Sequence, residues 1–233
     1  MRAGSLRLGA AVSACVGLVS IAACGSDDAE SPSSFPATVA AAPGTGAPIR
    51  DSAQLAAELL AADDLPGDFA VVPPRGESTG PAVPPAALTD PPDCARLLSP
   101  IAQQWPGASA TASVQFAGPS FATIDIDAAT YTDTALTPAF EALQAQPRRC
   151  ARYSGDDAGV RIDYRATGLD QPAAGDASSA FTLTATSEGL TLTSAIALVQ
   201  VGNTVVQVIV TAPEVVDPGV LADLTAAQVR KLR

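Results

Sequence analysis

Two carboxylates, Asp125 and Asp127, stand two residues apart in a stretch where they alternate with Ile124 and Ile126. Residues i and i+2 of a strand share a face, so this spacing sets two carboxyl groups side by side. Such a pair suits acid–base chemistry or oxygen coordination of calcium. A solvated strand face explains the same pattern without any function. Asp63, Asp64 and Asp68 are acidic neighbours as well, but they lack the regular spacing and terminal glutamate of a calcium loop, which points to helix-end and turn roles. The chain contains no histidine. That removes the commonest general base, the Ser-His-Asp and Cys-His arrangements, and the commonest metal ligand. No serine sits in a Gly-x-Ser-x-Gly elbow. No metal set and no cofactor are expected, and catalysis by carboxylates alone is the least supported class of function.

Arg148, Arg149, Arg152, Arg161 and Arg165 crowd one short stretch around Cys150. Guanidinium forks match carboxylate and phosphate, which makes Arg148, Arg149 and Arg152 a candidate anion-binding group. Ion pairing with nearby Asp156, Asp157 and Asp163 accounts for the same residues without a ligand. Trp105, beside Pro106, either stacks on a ligand or anchors a loop in the core.

Of four cysteines, Cys15 lies mid-run in an apolar N-terminal segment and Cys24 ends it. Arg2 and Arg7 precede that segment, and no stop-transfer charges follow it, so residues 1–23 read as an export signal rather than a membrane span. Ile21-Ala22-Ala23-Cys24 resembles the bacterial lipobox. The resemblance implies a diacylglyceryl group on the Cys24 thiol and cleavage before it. Two acyl chains meet the requirement for stable anchoring, which one chain does not. Cys94 and Cys150 remain, in a compartment where disulfides persist, and with only two candidates they pair with each other.

The chain has 233 residues and a net charge of −11, enough length for one domain and a tail. The signal holds cations only, so the exported form is more acidic still. A field of this sign draws in neither nucleic acid nor an anionic membrane surface.

Residues 24–50 are rich in Ser, Ala, Pro, Gly and Thr, with Phe35 as the one aromatic, and are expected to form a disordered tether. The folded domain is expected over 51–233. Asp51 with Gln54 marks a helix start, with Leu55, Leu59 and Ala62 as its stripe, running to Asp63-Asp64. A short strand is expected at 69–72, an irregular loop over 73–92, and a short helix from Cys94 to Leu98 capped by Asp93. Strands follow at 113–116 and 122–131, and a helix begins at Thr137-Pro138 and stops at Pro147. The rest is strand-like: 160–166, 180–187, 190–201 and 204–211, the last two joined at Gly202-Asn203, where positive φ suits a hairpin. Residues 173–176 read as an irregular loop at the sheet edge. Asp217-Pro218 opens a final helix lined by Val220, Leu221, Leu224 and Ala227, with Arg230 and Lys231 where the helix dipole favours cations. Runs of strands with helices set apart argue an α+β domain: an antiparallel sheet, helices packed mainly on one face, and one disulfide.

This layout is similar to that of uncharacterised actinobacterial, mycobacterial-type lipoproteins. It carries a lipobox, a small-residue tether, and a Leu-Leu helix running into Asp64-Leu65-Pro66-Gly67-Asp68-Phe69, ahead of a disulfide pair and an antiparallel sheet. These in turn resemble the extracellular sensor domain of PknH-type serine/threonine kinases. That domain has two disulfides, whereas this chain can form one, and no functional residue carries over. The resemblance implies a sensor-like or ligand-binding domain on the extracytoplasmic side of the cell membrane, without catalysis. The expected partners are the membrane, through the lipid, and a small apolar or amphipathic ligand. The alternative is a structural or adaptor lipoprotein that docks an envelope protein.

Overall fold

The computed structural model describes residues 34–65, 68–73, 88–213 and 215–233. The expected signal, Cys24, Pro66-Gly67 and most of the stretch expected as a proline-rich loop lie outside them.

Among the described residues, nine strands form one antiparallel sheet. In chain order they are β1 (Ala70–Val71), β2 (Leu88–Asp90), β3 (Ala110–Ala117), β4 (Thr123–Thr130), β5 (Arg152–Asp157), β6 (Val160–Gly168), β7 (Ala177–Ser187), β8 (Leu190–Val201) and β9 (Thr204–Pro213). Their order across the sheet is β1-β3-β4-β9-β8-β7-β6-β5-β2. The α-helices among the described residues are α1 (Ser52–Ala57), α2 (Ile101–Gln104), α3 (Asp133–Arg149) and α4 (Pro218–Lys231). A 3-10 segment, Pro92–Leu98, precedes α2.

The expected α+β class, antiparallel sheet and Cys94–Cys150 bridge are all present. The helices, expected mainly on one face, are divided between both. Leu55 of α1 and Leu221, Leu224 and Val229 of α4 pack on Ile124, Ile126, Ala197, Val199, Val206 and Val208. Ile101 of α2 and Leu136, Phe140 and Leu143 of α3 pack on the residues between these: Ala129, Leu198 and Val205. The reason is legible in β8 and β9. Ala195 to Val199 and Val205-Val206 are unbroken apolar runs, as expected of strands covered on both sides.

Local signals set several ends. Asp51 caps α1, its carboxylate accepting from Ala53 N and Gln54 N. Asp217 caps α4, accepting from Gly219 N. Elsewhere packing overrides the signal. Helix α1 stops at Ala57, earlier than the stripe implied, yet Leu59 and Leu60 are still buried beyond it. Helix α3 begins after Thr132 and runs through Pro138 and Pro147. A proline inside a helix costs about 3 kcal/mol. Burial of Leu136, Ala139 and Phe140 outweighs it here. On α4 the buried side is Leu221, Leu224, Thr225, Gln228 and Val229, and Val220 is exposed. The face turns because the Gln228 amide accepts from Leu60 N at 2.9 Å and donates to Glu58 O at 2.8 Å, closing the segment after α1. Strands β2 and β5 and helix α2 were not expected. The charged residues Arg152, Asp156 and Asp157 hid β5, and proline neighbours hid β2.

Residues 34–50 were expected to belong to the tether, but they lie against the domain as an extended strap and form part of the same compact unit as the sheet. Ser34 O accepts from Gly168 N at 2.7 Å. The Phe35 ring sits under the Arg148 guanidinium, 5.2 Å from its centroid. The Gln144 amide pairs with both Val39 N and Val39 O at 2.7 Å. The buried Gln200 amide does the same for Ala42, at 2.9 and 2.8 Å. Ile49 then packs on the core. A side-chain amide thus stands in for a neighbouring strand. Replacing Gln200 by Ala strips two partly buried backbone groups of their partners, a loss of about 1–3 kcal/mol. The expected result of Gln200→Ala is faster limited proteolysis close to Ala42, and an unchanged digestion rate would refute this role.

Candidate functional site

Strand β4 is held between β3 and β9, and its register decides the site. Asp125 stands between Gln115 and Ile209, and Asp127 between Ser113 and Gln207. Both carboxylates therefore share one face, as their spacing implies. That face is not open solvent. The 3-10 segment and the start of α2 bring Leu97, Leu98, Ser99 and Pro100 over it, and Val71 and Val72 stand at its side. Between these walls lies a cleft of about 580 Å³ with the two aspartates on its floor. Ile196, Ile209 and Leu183 continue the floor as an apolar strip.

The wall is fixed by named contacts. Cys94 is bonded to Cys150, the residue that caps α3. The Gln146 amide donates to Asp93 O at 2.9 Å. Gln104 Nε2 donates to Ser99 O at 2.7 Å and to Gln207 Oε1 at 3.3 Å, which ties the end of α2 to the cleft floor.

The two carboxylates differ. Asp125 accepts from Gln115 Nε2, and from Thr123 Oγ1 at 2.9 Å. Burial raises its pKa, and these hydrogen bonds oppose the rise. Asp127 has no hydrogen bond or ion pair among the described residues. Burial, and then the charge of Asp125, push its pKa up to about 6.

The remaining candidates fall elsewhere. Arg148 donates to Pro36 O in the strap, Arg149 Nη2 donates to Gln146 Oε1 at 2.8 Å, and Arg152 faces Arg165 across β5 and β6. Arg161 pairs with Asp163 at 2.7 Å on the surface. Asp64 accepts from Ala61 N at 2.8 Å and from Lys231 Nζ at 2.6 Å, which lowers its pKa. The first is the turn role that the sequence suggested, and the second, a tie to α4, was not expected. Trp105 packs beside α2 and α3, its carbonyl accepting from Tyr131 Oη at 3.0 Å.

Gln115, Gln207, Leu97 and Leu98 were missed as site residues. Gln207 had a signal: it is the one polar side chain between Val205-Val206 and Val208-Ile209-Val210.

Searches for relatives by sequence return nothing: no family model matches the chain, and no curated protein does. Comparison of structures succeeds. The extracellular domain of PknH from Mycobacterium tuberculosis superimposes with a TM-score of 0.58 at 15% identity, over 80% of this chain and 97% of that one. The chain shares its fold. An uncharacterised protein from Mycobacterium smegmatis, the Rv0999 ortholog, gives a TM-score of 0.38 at 16% identity, over 78% of this chain and 94% of its own. The PknH-like architecture supports the resemblance noted from the sequence. Among the described residues, no helix is long and apolar enough to cross a membrane.

Proposed function

We propose that this chain is a non-catalytic, sensor-like domain, lipid-anchored at Cys24 on the extracytoplasmic side, that binds a small amphipathic molecule. The cleft carries the reading. Its volume falls in the range of small-molecule sites, and it joins an apolar strip to a few convergent polar groups, the usual composition of such sites. The fold shared with a kinase extracellular domain is consistent with this role. Native mass spectrometry of the purified full chain tests it. The expected spectrum carries a small-molecule adduct that disappears in Ile209→Trp, which fills the floor. A bare mass in every preparation, together with no uptake of added amphiphiles, would end the proposal. The anchor is tested separately: wild type should incorporate labelled palmitate and Cys24→Ala should not.

A second reading, an adaptor that docks an envelope protein, has its own observation. Phe121, Leu190 and Val215 are exposed apolar residues at turns or strand ends, and the strand register brings all three to one end of the sheet. If that reading holds, Phe121→Ser with Leu190→Ser removes partner cross-linking and leaves any adduct in place.

A further inference from the structure

The floor of the cleft carries two carboxylates, and among its described lining residues there is no Lys or Arg. Strand β3 brings Ser113 and Gln115 to the pair, β9 brings Gln207 and Ile209, and the covering segment adds Leu98 and Ser99. Asp125 already accepts two hydrogen bonds within the chain. Asp127, two residues along the same face, accepts none from the described residues. The carboxylate best placed to receive a ligand is thus the one left without a partner among the described residues, on the floor of the cleft. A half-buried anion in that position is costly until a counter-charge arrives. The apolar strip of Leu183, Ile196 and Ile209 runs away from it under Leu97 and Leu98. Polar at one end and apolar along its length, the cavity has the complement of a particular ligand shape.

We propose that the ligand is an amphipathic cation, with an ammonium-type head held at Asp127 and Asp125 and an apolar part laid along Leu183, Ile196 and Ile209. This rests on the cleft being a ligand site and names the chemistry that the site selects. A neutral amphiphile fills the same strip but leaves Asp127 uncompensated, and an anionic one meets two like charges. Cation binding is strongest where Asp127 is ionised. It therefore strengthens as pH rises through the range in which that carboxyl loses its proton, and weakens in acid.

The test titrates the full chain with octylamine and with 1-octanol, two probes of equal tail length, by calorimetry at about pH 7.5 and about pH 5. The expected result is octylamine bound at least about tenfold more tightly than octanol at the higher pH, with a smaller ratio at the lower. Asp127→Asn should abolish the preference while octanol binding persists. Asp163→Asn, which removes an exposed surface charge, should leave the preference intact and so excludes general attraction to an acidic protein. Equal binding of the two probes overturns the cation proposal and leaves the cleft reading standing. So does a preference that survives Asp127→Asn. Binding of neither probe overturns both.

Discussion

Reduction of the Cys94–Cys150 bridge should lower the stability of the domain by roughly 4 kcal/mol, the loop-closure entropy returned to the unfolded chain by a link of this length. The two residues are separated by 56 positions. Both are buried, among Leu97, Tyr153 and Tyr164. The effect should not stop at stability. One end of the bridge lies in the 3-10 segment that forms the cleft wall, and the other caps α3. With the bridge open, Gln146 on Asp93 and Gln104 on Gln207 are left to hold that wall. Urea unfolding of oxidised chain, reduced chain and the Cys94→Ser/Cys150→Ser double variant measures the first effect, and amphiphile uptake measures the second. A loss below about 1 kcal/mol would show that the bridge is redundant with the packing around it.

Asp127→Asn should stabilise the protein near neutral pH, by about 2 kcal/mol. The folded-state pKa lies at about 6, above the ordinary 3.8. Every tenfold change in proton affinity between the folded and unfolded chain corresponds to about 1.4 kcal/mol, and the full figure is reduced because the side chain keeps some contact with water. The sign follows from proton binding. Between the two values the folded chain holds a proton that the unfolded chain has released, so stability falls as pH rises from 3.8 to about 6 and stays low above it. Asparagine keeps the shape and never ionises. The variant should therefore match wild type in acid and exceed it at neutral pH. Asp64 acts in the opposite sense, because its lowered pKa contributes stability above 3.8 that is lost in acid. The informative quantity is the difference between variant and wild type at each pH, from which Asp64 cancels. A difference that does not change with pH, or a variant less stable than wild type near neutrality, would place Asp127 in a setting other than the one described.

These two residues also mark what could be read from the chain. The spacing of Asp125 and Asp127 fixed their shared face, and the hairpin at Gly202-Asn203 and the caps Asp51 and Asp217 were legible because each signal lies within a few residues of its effect. What covers the aspartates was not legible, because Leu97, Leu98 and Gln207 reach them only through the folded chain. The strap failed for the same reason. Its composition gives it no core of its own, and its partners Gln144 and Gln200 lie 105 and 158 positions away. A lone glutamine in an apolar run, as at Gln200 and Gln207, is the signal to weigh more heavily. In this protein its amide captures distant backbone or another glutamine amide.

The sheet ends in β1 and β2, strands of two and three residues. Pro91 and Pro92 follow β2 directly and Pro73 comes two places after β1. Along β3, Thr111 N donates to Ser52 Oγ of α1 at 3.1 Å, so that this edge amide already has a partner within the chain. Long open edges template pairing with other chains, and short proline-flanked ones discourage it. Copies crowded together at high local concentration should therefore remain separate molecules, without recruiting one another into a growing cross-β stack.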